Sequence, residues 1–100
     1  MKATNKSATG TSFYNSTLKC SIDTLFKVLG EPIDDSNTGE DKTNFEWIME
    51  TSRGDVFTVY DWKEYRSLNY SDVIEWHIGG MSKQITDLAK QEIRESIVKV

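Results

Sequence analysis

Apolar and polar residues alternate with a period of two in three segments, residues 45–50, 56–62 and 73–78. Such a period sends successive side chains to opposite sides of an extended backbone, so each segment predicts a strand with one buried and one wetted face. Two other segments repeat at helical spacing. Ile22, Leu25, Phe26 and Leu29 form one apolar stripe, and Ile85, Leu88, Ala89, Ile93 and Ile97 form a second within residues 82–100. Ser21 and Ser82 stand where N-caps belong, Asp23 suits the positive end of a helix dipole, and Gly30 followed by Pro32 is a stop signal. Gly79-Gly80 reads as the sharp turn from the third strand into the second helix. Phe13-Tyr14 and residues 18–20 predict an edge strand, whereas residues 1–10 lack periodicity and read as a flexible N-terminal tail. The order of elements predicts an α+β domain over residues 11–100: a three- to four-stranded antiparallel sheet with two helices packed on one face.

Which side chains share a face depends on the hairpin at Ser52-Arg53-Gly54-Asp55, because a slip of one residue exchanges the two faces. A three-residue loop, Ser52-Arg53-Gly54, fits best. Glycine then takes the left-handed position of a type I turn with a bulge, whereas a two-residue loop would demand positive φ from Arg53. That register sets Trp47 opposite Val59 and Glu46 opposite Tyr60. It assigns Phe45, Trp47, Met49, Phe57, Val59, Ile74, Trp76 and Ile78 to the core. The opposite face receives Glu46, Ile48, Glu50, Thr58, Tyr60, Trp62, Glu75 and His77, and Asp61 falls at the margin of the core, where it needs an internal donor.

A chain of 100 residues supports one core. The net charge of −4, with twelve dispersed basic residues, argues against nucleic acid, which takes a concentrated cationic stripe. The single cysteine, Cys20, allows no internal disulfide, and neither a secretory apolar run nor a membrane-spanning stretch is present, so a cytoplasmic location without membrane contact is expected. Residues 31–42 gather Glu31, Asp34, Asp35, Glu40 and Asp41 among small polar residues and predict an exposed acidic loop. Its Asp34-x-Ser36-x-Thr38-Gly39 run imitates the opening of a calcium loop, but Phe45 occupies the place of the closing glutamate.

Catalytic signatures are sparse. The only histidine, His77, has carboxylate neighbours for acid–base work but no evident nucleophile, since Cys20 is remote in sequence. No phosphate-binding glycine loop and no spaced metal ligands occur, so neither an enzyme nor a cofactor is expected. What stands out is a collection of amphipathic rings and charges on the uncovered sheet face and the connection after it. Glu46, Tyr60, Trp62, Lys63, Tyr65, Arg66, Glu75 and His77 are the expected ligand- or partner-binding residues, because large rings anchor partners at little entropic cost.

The words Gly30-Glu31-Pro32, Phe45-Glu46-Trp47, Tyr60-Asp61-Trp62-Lys63 and Trp76-His77-Ile78-Gly79-Gly80 span about half of the chain and resemble a layout recurrent in small proteins encoded by bacteriophages and prophages. The resemblance implies an origin, without a mechanism, and favours a stoichiometric partner of a host protein over an enzyme. A non-enzymatic binding module that engages or inhibits a host component is therefore expected. The alternative is a small-molecule binder that stacks a cationic or nucleotide-like ligand on Trp62 and Tyr60. A homodimer formed through the uncovered face is a third arrangement the pattern allows.

Overall fold

The computed structural model describes residues 1–40 and 42–99; Asp41 of the acidic loop and Val100 of the last segment lie outside the described residues. The elements run β1 (Lys2–Ala3), β2 (Ser12–Ser21), α1 (Ile22–Leu29), β3 (Glu46–Glu50), β4 (Val56–Tyr60), β5 (Val73–Gly80) and α2 (Lys83–Val98). The strands form one antiparallel sheet in the order β1-β3-β4-β5-β2, so the fold is α+β with five strands rather than three or four. The additional strand is β1, two residues long and too short to carry a period. The edge strand expected around Phe13 and Cys20 is β2, continuous except for a bulge between Phe13 and Ser16, where Asn15 takes a φ of 61°.

Both helices begin as their caps require. The Ser21 side chain accepts from the Thr24 N–H at 3.2 Å, and Ser82 does the same for Ile85 at 3.3 Å. Gly30, at φ 82°, ends α1 by donating its N–H to the Phe26 carbonyl at 3.0 Å. The hairpin adopts the three-residue register: Glu50 faces Val56, Trp47 faces Val59, Glu46 faces Tyr60, and Gly54 sits at φ 82°.

Each of Phe45, Trp47, Met49, Phe57, Val59, Ile74, Trp76 and Ile78 is buried, together with Ile22, Leu25 and Leu29 of α1 and Ala89 and Ile93 of α2, in one apolar cluster. Burying a side chain of this size contributes about 1.5–3 kcal/mol, and the rings add edge-to-face contacts such as Trp47 on Trp76 at 5.6 Å. The buried indoles are satisfied. Trp47 Nε1 donates to the Gly30 carbonyl at 2.9 Å and Trp76 Nε1 to that of Cys20 at 3.0 Å. Asp61, fully buried, finds its internal donors in the backbone N–H groups of Asn44 (2.7 Å) and Phe45 (2.9 Å) and in Asn44 Nδ2 (3.1 Å).

Two expectations need correction. Gly79 and Gly80 do not make the turn into α2; they end β5, and their value is the missing side chain. A Cβ on Gly79 would lie 2.6 Å from Thr58 Oγ1, and one on Gly80 would lie 3.0 Å from Thr86 Cγ2. Gly80 thereby admits α2 closely enough for Thr86 to be buried, so the innermost residues of that helix are Thr86, Ala89 and Ile93, while Ile85, Leu88 and Ile97 lie only partly covered. Residues 1–10, expected as a tail outside the domain, contribute β1, whose Lys2 and Ala3 pair with Glu50 and Met49. The N-terminal ammonium meets Glu92 at 3.3 Å, Lys6 Nζ donates to the Gly54 carbonyl at 2.9 Å and Met1 packs against the core, so charge, backbone pairing and one apolar contact tie down this segment.

Candidate functional site

The sheet face opposite the helices divides into two ends. At the hairpin end, the segment leading from β1 to β2 closes over the strands. Glu50 and Thr58 are buried there, Lys2 and Lys6 each reach a Glu50 oxygen at 3.4 Å, and Gly10 packs on the Met81 side chain. A hydrogen bond from Thr4, opposed by desolvation and joined by the charge of Lys6 and hydrogen bonds from Lys2 and Lys6, holds the Glu50 carboxyl below its ordinary range.

The other end stays accessible and is dominated by rings. Cross-strand pairing places Glu46, Tyr60, His77 and Thr17 in one row over four strands. Phe13 stands opposite Gly79 in the adjoining row. Because Gly79 offers no side chain, Phe13 leans onto His77, ring parallel to ring, with centroids 4.0 Å apart and 8° between planes. Trp62 covers the imidazole from another side at 6.2 Å and 27°, and Tyr60 meets both His77 (5.5 Å) and Trp62 (6.1 Å) edge-on. Trp62 is 41% exposed, against 0% for Trp47 and Trp76.

The loop backbone sets the position of Trp62. Lys63 takes a φ of 55° and donates its N–H to the Lys42 carbonyl at 2.7 Å, which joins the connection after β4 to the loop before β3. The same junction carries two ammonium groups to the indole: Lys42 Nζ lies 5.7 Å and Lys63 Nζ 5.6 Å from the ring centroid. Each such contact contributes about 0.5–1 kcal/mol at an exposed site.

Burial also shifts the ionisable groups. Desolvation, then the charge of Asp34, raises the Glu46 carboxyl above its ordinary value, and desolvation, then Glu46, raises the Tyr60 phenol. Desolvation lowers His77, with Glu75 opposing it, so the imidazole is held neutral and stacks as an aromatic ring. Cys20 sits half-buried on the core side of β2, where desolvation, partly offset by Trp76, pushes its thiol up to about 11. A thiol so held carries little thiolate near neutrality.

Of the eight sequence-predicted residues, Glu46, Tyr60, Trp62, Lys63 and His77 converge, and Glu75 borders them on β5. Tyr65 and Arg66 do not join the cluster. Tyr65 is 54% exposed at a φ of 51°, and Arg66 turns to Asp72, 3.2 Å away. Phe13 and Lys42 were missed: each reaches the site through a partner remote in sequence, and the one legible sign was Gly79, a strand glycine beside which a large ring fits. In the acidic loop, Asp34 Oδ1 accepts from the Ser36 N–H at 3.0 Å, the Asp34 backbone bridges to Glu46, and no group of three metal-ligating side chains gathers among the described residues. Among the described residues, no helix is long and apolar enough to cross a membrane. No protein family, curated protein or solved structure matches this chain.

Proposed function

We propose that the chain is a non-enzymatic binding module that engages a partner protein through the ring cluster of Trp62, His77, Phe13 and Tyr60 with its charged rim of Glu46, Lys42 and Lys63. The observation that carries this reading is the half-exposed Trp62, already fixed by packing on His77 and Tyr60 and flanked by two ammonium groups. A ring immobilised before contact loses little entropy on binding, and tryptophan, tyrosine and their charged neighbours are the types that anchor protein interfaces. The resemblance to small phage-encoded proteins supports a host protein as the partner, with the chain acting as an accessory or inhibitory factor in the host cytosol. Parallel affinity capture from bacterial lysate by the native chain, Trp62→Ala and Tyr65→Ala tests it. A specific partner is retained by the native chain and Tyr65→Ala and lost with Trp62→Ala; recovery unaffected by Trp62→Ala refutes the assignment of the face.

A second reading rests on Glu46, whose carboxylate shares a row with Tyr60 at the margin of the rings and so suits a flat cationic ligand stacked on Trp62. Thermal shift distinguishes the two, because a small ligand in excess over its Kd raises Tm without any protein partner.

A further inference from the structure

The two edges of the sheet are treated differently by the chain. The outer side of β3 is occupied by β1 at Met49 and Glu50 and by the Asp34 bridge at Glu46. The outer side of β2 has no strand beside it among the described residues, although β2 is the longest strand of the sheet. Every second N–H and C=O of such a strand points away from the sheet, and an exposed edge of this length is ordinarily blunted. Here the bulge at Asn15 interrupts only its beginning.

Along the uninterrupted part, a groove of about 550 Å³ follows residues 17–19, with Glu75 at one side and α2 at the other. The helix lends it Ile97 and the 84%-exposed Val98, next to the buried Leu18. Lys19, Lys90 and Arg94 bring three cations to the same groove in a chain whose net charge is −4, and none of the three forms an ion pair among the described residues. Glu75, the cross-strand neighbour of Lys19, is the only acid lining it among the described residues.

We propose that this groove is a strand-addition site for an extended peptide segment of mixed acidic and apolar side chains, contributed by a partner protein. The free backbone groups of β2 would pair with the incoming strand, Lys90 and Arg94 would meet its carboxylates, and Ile97 and Val98 its apolar side chains. A second copy of the chain fits less well, since two-fold pairing of β2 with itself brings Lys19, Lys90 and Arg94 against their own copies. A nucleic-acid strand needs a longer run of cations than this and gains nothing from a free backbone edge.

Fluorescence anisotropy with the full chain tests the site, using a labelled peptide of alternating glutamate and valine as the probe. The same peptide N-methylated at alternate residues, a lysine-valine peptide and a short single-stranded oligonucleotide serve as comparisons. The glutamate-valine peptide is expected to bind, with the amide resonances of residues 17–19 shifted by NMR. Its affinity should fall at least about tenfold for Lys90→Glu combined with Arg94→Glu, two surface substitutions whose folding circular dichroism verifies. Trp62→Ala should leave the affinity unchanged, which separates this site from the ring cluster. Equal binding of the N-methylated or lysine peptide, tighter binding of the oligonucleotide, or a dimer in ultracentrifugation whose β2 amides are protected without peptide would each overturn the proposal.

Discussion

The three tryptophans divide the molecule into a side that holds it together and a side that faces outward. Trp47 and Trp76 lie at 0% exposure beneath the helices, each with its N–H given to a backbone carbonyl. Trp62, on the opposite side, is 41% exposed, its N–H meets no protein acceptor among the described residues, and its neighbours are a neutral imidazole and two ammonium groups. The same side chain therefore serves stability in one place and contact in the other. What separates the roles is the cover above each ring: the helices close over Trp47 and Trp76, while Trp62, in the connection after β4, is left partly open.

Substitutions should expose that asymmetry. Trp76→Ala opens a large void in the core and is expected to cost about 3–5 kcal/mol, seen as a fall in Tm of more than about 10 °C. Asp61→Ala follows, at about 3 kcal/mol in urea denaturation, because it strands the N–H groups of Asn44 and Phe45 inside the protein. Asp61→Asn, which keeps an acceptor oxygen, should cost less. Trp62→Ala, which removes two cation–π contacts, should cost only about 1–2 kcal/mol while abolishing partner capture. An equal loss of stability at Trp62 and Trp76 would erase the distinction between the two sides.

Two pH-dependent effects are smaller. Burial alone would raise Glu92, but hydrogen bonds from the Ser52 hydroxyl and N–H and the charge of the N-terminus outweigh it and hold the carboxyl below its ordinary range, as Thr4 and the lysines do for Glu50. Both are acids with lowered folded-state values. Their contribution is complete above the ordinary carboxylate range and is lost as pH falls through the folded-state values. Hydrogen exchange should accordingly show the Ser52 amide and the β1 pairing weakening in acid before the core amides of β4 do. His77 is a base with a lowered value, so its neutral stack is intact above the ordinary histidine range, and protonation on acidification disfavours it. Trp62 fluorescence should be quenched with a midpoint below that of free histidine, and Trp62→Phe should remove the signal.

Much of this fold is legible in the chain. The period of two fixed which strand residues face the helices, and the glycine of the Ser52-Arg53-Gly54 loop fixed the register, because positive φ at Arg53 would have cost more than a bulge. Ser21, Gly30 and Ser82 marked helix ends through hydrogen bonds made within a few residues. That register set Glu46 opposite Tyr60, and the period of two put His77 on the same face; the pairing of β4 with β5 then brought His77 into their row.

Tertiary structure decided what covers what. Neither β1 nor the closure of the hairpin end over Glu50 and Thr58 carries a periodic signal, since both depend on ion pairs and backbone pairing across the length of the chain. Phe13 reached His77 because Gly79 left a gap on the neighbouring strand, and α2 seated Thr86 deeply because Gly80 left another. Local sequence specifies the direction in which a side chain points, through backbone sterics and period. Whether water or protein waits in that direction depends on segments distant in the chain, and here that difference separates Trp62 from Trp47 and Trp76.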